Sequence, residues 1–219
     1  MTMHSRCVIV AAVVLAGWTQ ADYIPGSGTW YSGQNAQVAS AFTQNGIVSD
    51  AVDVAPLQQL IMAYNGSTFV QLGNELTPAG VTTQPAVFWP ITYADQLYTL
   101  VELDLDAPTA TNSSLRSVLH WLVYNIPGND IFRGQVYAPY MGSAPFDSSL
   151  HRYVFLLFPQ TRSIQLSALP SGNDARLRFN MRTFMLQNGL SQPFAGNFYR
   201  ARADDYSRQY WASQGVTSF

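Results

Sequence analysis

Two histidines, His120 and His151, stand at the entries to long apolar runs. A third such run ends in Asp104-Leu105-Asp106-Ala107-Pro108. Polar groups at the ends of buried strands are informative, because leaving one unpartnered costs about 1–3 kcal/mol. If the chain stays extended past Asp104, the two carboxylates share a face roughly 6.5–7 Å apart. Antiparallel pairing of this run with the one containing His120, through the loop 107–117, would set Asp104 and Asp106 beside that imidazole. The segment 140–147 contains Gly142, Ser143 and Pro145, turn residues whose backbone can approach a ligand closely. Three chemistries are open to this set. Imidazolium, guanidinium and loop N–H donors could form an anion pocket, with Asp104 holding a histidine protonated. Two His and one Asp could hold a metal, although no fixed spacing such as HExxH supports it. Alternatively the histidines are satisfied core residues and Arg152 pairs with Asp106. No GxSxG or comparable nucleophile turn supports a Ser-His-Asp hydrolase, and the reading is non-enzymatic.

The elements that must position these groups are short β-type runs at 59–64, 68–72, 86–89, 98–104, 118–126 and 152–158. The last three (YTLVELD, VLHWLVYNI, RYVFLLF) are apolar on both alternating faces, which predicts central strands covered on both sides. Residues 22–35 are turn-rich and read as a loose lead-in, followed by a short helical pattern over 37–43. A helix is expected over 174–188, with Leu177, Met181, Phe184 and Met185 on one face. Asn173 or Asp174 would cap it, and Gly189 occupies the C′ position. Asp204 and Asp205 open a further pattern containing Tyr206, Tyr210 and Trp211, where acids suit the helix dipole. The methionines and aromatics of both patterns are assigned to the core. The fold class is therefore mostly β, a sandwich or large sheet with peripheral helices.

Composition narrows the function classes. Only 11% of the 219 residues are charged, against 47% apolar, and all 11 basic residues are Arg. A net charge of −2 without a basic cluster argues against nucleic-acid partners and against an electrostatic membrane anchor. Residues 1–21 read as a secretory signal: His4 and Arg6 precede an apolar run from Cys7 to Gly17, too short to span a bilayer, and Ala21 ends a small-residue cleavage site. The expected organisation is a signal at 1–21, a lead-in at 22–49 and one domain at 50–219, secreted and extracellular, with no transmembrane segment. Cys7, the only cysteine, would leave with the signal, removing disulfides, zinc-thiolate sites and thiol nucleophiles. Sequons at Asn65 and Asn112 lie in turn-like contexts and fit glycosylation.

The segments YTLVELDLDAP (98–108), HWLVYNIPGND (120–130) and LHRYVFL (150–156) closely resemble the phosphatidylethanolamine-binding protein family. That family includes Raf kinase inhibitor proteins, plant flowering regulators, secreted nematode antigens and a fungal carboxypeptidase Y inhibitor. The likeness extends over roughly residues 50–213. It implies an antiparallel β-sandwich with C-terminal helices beside a small pocket for phosphate-like anions and phospholipid headgroups. By motif it assigns Asp104, Ala107, Pro108, His120, Gly142, Pro145, His151 and Tyr153 to that pocket, with no cofactor and no metal. Four positions depart from the family pattern: Leu105 replaces a proline, Leu115 a tyrosine, Ala144 a glycine and Phe146 a second proline. These bear on headgroup preference, and Tyr210 or Trp211 is a candidate for closing the pocket.

Two functions follow from different classes. One is a secreted binding protein that captures a phosphoryl-bearing small molecule or a phospholipid headgroup. The other, suggested by the fungal relatives, is an extracellular protease inhibitor acting through a surface segment such as the lead-in.

Overall fold

The structure, a computed structural model, describes residues 30–90 and 95–216, with side chains from residue 36 onward in the first helix. The expected signal segment and residues 22–29 lie outside the described residues.

Among the described residues, nine strands form two sheets: β1 (Gln58–Gln59), β2 (Ile61–Tyr64), β3 (Thr68–Phe69), β4 (Ala86–Phe88), β5 (Leu97–Asp104), β6 (Val118–Pro127), β7 (Gln135–Ala138), β8 (His151–Gln160) and β9 (Ala195–Ala201). The large sheet has the order β1-β9-β8-β5-β6-β7 and the small one β3-β2-β4. All pairings are antiparallel except β1 with β9. The central strands β5, β6 and β8 are those whose sequences are apolar on both faces. Each is almost wholly buried, because one layer packs on either side of the sheet.

On one face, Val101, Leu103, Leu119, Leu122, Val154, Leu156 and Phe158 meet helix α1 (Trp30–Gln44) through Val38 and Phe42, and helix α2 (Met181–Asn188) through Met181 and Phe184. On the other, Leu100, Trp121, Phe155 and Leu157 pack against Leu60, Met62 and Tyr64 from the small sheet and its approach. The period of two in each strand divides the two cores. This is the β-sandwich with peripheral helices that the sequence predicts.

Three local expectations are corrected. The helix expected over 37–43 runs from Trp30 to Gln44, so residues 30–35 of the segment read as loose are helical. Val38 and Phe42 on it are fully buried, and the Phe42 ring meets Phe198 edge-on at 5.5 Å. The single helix over 174–188 is instead a 3₁₀ turn (Asn173–Arg176), an extended step, and α2. Backbone pairing breaks it: Arg178 N donates to Leu115 O at 3.1 Å and Phe179 N to Ser117 O at 2.8 Å, so those amides cannot serve a helix. The cap is accordingly Asn180, whose side chain accepts from Thr183 N, and Gly189 takes the left-handed C-cap as expected. Finally, β7 and β9 were not anticipated as strands.

Helix α3 (Asp205–Ser213) begins where the paired acids place it. Asp204 accepts from Ser207 N at 2.9 Å and also from Ala79 N at 3.0 Å, fixing the helix against the 3₁₀ turn Pro78–Val81. No helix among the described residues is long and apolar enough to cross a membrane.

Candidate functional site

Antiparallel order brings the end of β5 beside the starts of β6 and β8, so Asp104, His120 and His151 meet at one end of the large sheet. A pocket opens there, and every one of the eight residues assigned by motif lines it: Asp104, Ala107, Pro108, His120, Gly142, Pro145, His151 and Tyr153.

His120 reaches the pocket by an irregularity in pairing. Glu102 pairs with Trp121 but Leu103 with Leu119, which leaves His120 as the extra residue of a bulge. A bulge re-aims a side chain, and here it turns the imidazole toward the pocket end of the face that Trp121 shares. Nδ1 of His120 lies 2.8 Å from Met141 O while Met141 N donates to His120 O at 2.9 Å, so the ring is held by the loop it faces. Arg176 reinforces this arrangement, donating to the carbonyls of Leu119, His120 and Pro139 at 3.0–3.1 Å.

His151 is 1% exposed. Its Nδ1 lies 2.9 Å from Asp104 Oδ2, while Asp104 Oδ1 accepts from Asp106 N at 2.8 Å. Nε2 of His151 is buried without a hydrogen-bond partner, 3.6 Å from Asp147 Oδ1. The Tyr153 ring lies between the two histidines, edge-on to His120 at 5.1 Å and parallel to His151 at 6.5 Å.

The electrostatics separate the two imidazoles. Burial lowers the pKa of His120 below its ordinary value, outweighing the nearby Asp104 charge. At His151 burial works in the same direction, yet the hydrogen bond and charge of Asp104, with Asp106 and Asp147 behind them, raise the pKa overall. Burial would raise Asp104, but His151 and His120 hold it below the usual carboxylate range. One imidazole is thus biased toward the neutral form and the other toward the cation.

Asp106 departs from expectation. The chain does not remain extended, because the Asp104 side chain draws the Asp106 amide into a turn. The Asp106 carboxylate faces away from His120, where Arg152 grips it through N, Nε and Nη2 at 2.9, 2.8 and 2.6 Å. Arg152 also reaches Asn45 O and Asp50, and Arg116 joins Asp50 at 2.9 Å. The Arg152–Asp106 pairing of the structural alternative therefore coexists with the pocket. Among the described residues, no group of three His, Cys, Asp or Glu side chains could hold a metal ion.

Gly142 also serves a role other than close approach to a ligand. A Cβ there would lie 2.8 Å from Val81 O, so the missing side chain lets the pocket loop lie against the 78–81 turn. Tyr210 and Trp211, which helical spacing assigns to the core and the resemblance offers as candidates for closing the pocket, both line it. Trp211 Nε1 donates to Ala144 O at 2.9 Å and its ring meets Phe146 at 5.9 Å, so α3 closes one side.

Glu102 drew no attention in the sequence, although it is an acid inside a run buried on both faces. It shares a face with Asp104, is fully buried, and neither carboxylate oxygen has a hydrogen-bond partner. Burial, then the Asp104 charge, push its pKa well above the ordinary value, against a weaker pull from Arg176. Both sequon asparagines, Asn65 and Asn112, are exposed.

Comparison with known proteins agrees with this architecture. The 26 kDa secreted antigen of Toxocara canis is 39% identical over 166 residues, 74% of this chain. The match spans 63% of that antigen, less than two thirds of its length. CEN-like protein 4 of Nicotiana tabacum is 33% identical over 165 residues, covering 74% of this chain and 92% of the relative. A carboxypeptidase Y inhibitor, solved in complex with its cognate proteinase, shares the fold with a TM-score of 0.67 at 23% identity, covering 78% of this chain and 97% of the inhibitor. A family profile described as phosphatidylethanolamine-binding protein matches residues 65–199, well over half of the sequence. The chain belongs to the phosphatidylethanolamine-binding protein family.

Proposed function

We propose that the chain is a secreted, non-enzymatic binding protein whose pocket captures an anionic group, phosphate-like or carboxylate, of a small molecule or phospholipid headgroup. The observation that supports this is the His151 imidazole: Asp104 occupies one nitrogen, and the other is buried at the pocket without a hydrogen-bond partner, 3.6 Å from Asp147 Oδ1. A buried donor in that state is stabilised by an incoming acceptor, and charge on either partner roughly doubles the strength of the bond. Asp104, Ala107, Pro108, His120, Gly142, Pro145, His151 and Tyr153 form the binding site on this reading, and exposed Asn65 and Asn112 are available for glycans.

Anion binding should be linked to proton uptake. With its Nδ1–H given to Met141 O, neutral His120 presents Nε2 as an acceptor, so an anion is best received when that nitrogen also takes a proton. Its lowered pKa means the free pocket is short of that proton at neutral pH. Affinity for phosphoethanolamine in a calorimetric titration therefore falls at least about tenfold from pH 5.5 to pH 8. Equal affinity at both pH values, or no binding in either, overturns the proposal.

The inhibitor alternative has less support. A lead-in acting as a free arm conflicts with α1, since Val38 and Phe42 are fully buried in the core.

A further inference from the structure

The sequence holds three Asn-Gly pairs: Asn45-Gly46, Asn65-Gly66 and Asn188-Gly189. Such a pair carries a reaction of its own, which is one reason asparagine is thermolabile. The backbone nitrogen of the glycine attacks the asparagine Cγ and a C–N bond forms. The side-chain nitrogen leaves as ammonia, taking the proton that the backbone nitrogen gives up. The cyclic imide that remains takes up one water and opens to aspartate or isoaspartate. An amide and water thus become a carboxylate and ammonium, with nothing oxidised or reduced. Glycine favours the attack because no Cβ crowds its nitrogen.

The step needs a backbone nitrogen free to lose its proton and a side chain free to swing onto it. At two of the pairs the fold denies both. Gly46 N donates to Thr43 O at 3.0 Å, and Gly189 N donates to Leu186 O and Met185 O in the C-cap of α2. Asn45 Nδ2 donates to Ala41 O and Asn188 Nδ2 to Phe184 O, each at 2.8 Å. Both amides are therefore tied one helical turn back, away from the glycine that follows.

Asn65-Gly66 differs on every count. It lies exposed in the turn between β2 and β3, with left-handed φ values of 49° and 74°. Ser67 N closes that turn by donating to Tyr64 O at 3.1 Å, and Gly66 N has no hydrogen-bond acceptor among the described residues. The Asn65 side chain is held only by long contacts. Its Nδ2 lies 3.4 Å from Gly80 O and its Oδ1 3.5 Å from Thr83 Oγ1, at the outer limit of hydrogen bonding.

We infer that Asn65-Gly66 is a self-modifying site, at which the folded protein converts to aspartate or isoaspartate ahead of its other two Asn-Gly pairs. Two consequences attach to it. Conversion destroys the sequon Asn65-Gly66-Ser67, so a glycan must arrive before the imide forms. It also sets a carboxylate, an acceptor only, where an amide donor faced Gly80 O in the 78–81 turn. That turn receives the Tyr140 hydroxyl and the backbone of Gly142 from the pocket loop.

Peptide mapping by mass spectrometry tests this on the full chain, made in bacteria so that Asn65 carries no glycan, and held at pH 8. The change from amide to acid should be at least about tenfold faster at Asn65 than at Asn45 or Asn188. In concentrated urea, where caps and turns are gone, the three rates should converge. Gly66→Ala should slow conversion at Asn65 and leave the other two pairs unchanged, since the new Cβ meets no atom within 4 Å and crowds only the nitrogen. Equal rates in the folded chain, or a lead for Asn45 or Asn188, overturn the inference. A lead for Asn65 that persists undiminished in urea also overturns it, because local sequence and not the fold would then set the order. Should Gly66→Ala fail to fold, the rates of the unaltered chain with and without urea decide alone.

Discussion

Asp104→Asn weakens phosphoethanolamine binding about 10- to 100-fold at pH 7, and by much less at pH 5. The carboxylate lies 2.9 Å from His151 Nδ1 and is the main influence keeping that buried imidazole cationic. With asparagine there, burial prevails and His151 becomes neutral at pH 7. The charge-assisted contact to the ligand, worth roughly 1.5–3 kcal/mol, is then lost. At pH 5 solution protons restore the imidazolium. Titrations of both proteins at the two pH values make the comparison, and a loss of equal size at both would refute the assignment. The same pair sets a stability window. Asp104 has a lowered folded pKa, so its contribution is present above the ordinary carboxylate value and disappears as pH falls. His151 has a raised one, so its contribution is complete below about 6.5 and is lost as pH rises. Asp104→Asn should therefore destabilise most between about pH 4 and 6.5.

Glu102→Gln should do the opposite and stabilise the protein, increasingly so as pH rises. Glu102 is fully buried and both of its oxygens lack partners. The groups that face it are Asp104, Arg176 and the phenols of Tyr64, Tyr140, Tyr153 and Tyr199. Its folded pKa is raised, so the unfolded chain releases the proton first. Stability is lost as pH climbs from about 4.3 toward the folded value. Glutamine has the same shape and no proton to lose. The melting temperatures of the two proteins should nearly coincide at pH 4 and differ by roughly 2–10 °C at pH 8, given about 2–4 °C per kcal/mol in a domain of this size. A difference that stays constant with pH would show that Glu102 is ionised in the fold.

The central strands were legible because β5, β6 and β8 carry apolar residues on both faces, a pattern that needs no knowledge of partners. β9 was hidden by its own chemistry, since Gly and Asn in AGNFYRA weaken any local strand signal. Both residues answer to distant segments. A Cβ at Gly196 would lie 2.5 Å from Pro56 and 2.8 Å from Phe42. Asn197 is fully buried, donates to Leu60 O and Val70 O, and accepts from Leu72 N. The meeting of Asp104, His120 and His151 could be read from strand order. The outward turn of Asp106 could not, because it depends on Arg152 and on Asp50 more than fifty residues away. Helical spacing alone gave Tyr210 and Trp211 to the core, because it cannot distinguish a buried face from one that walls a cavity; their place at the pocket was legible only through the resemblance. Glu102 did carry a signal, an acid amid YTLVELD where neither face of the strand meets water.

Adjacent positions on β8 point to opposite sides: His151 to the cavity, Arg152 to Asp106, Asp50 and Asn45 O. The amino-terminal segment is consequently a brace for the strand that supplies the ligand-facing imidazole, although its described residues contribute no atom to the cavity wall. Trimming the chain through residue 50 would strip that guanidinium of two of its anchoring oxygens. Altered capture by such a shortened protein would then register a loosened strand, and would say nothing about a missing recognition surface.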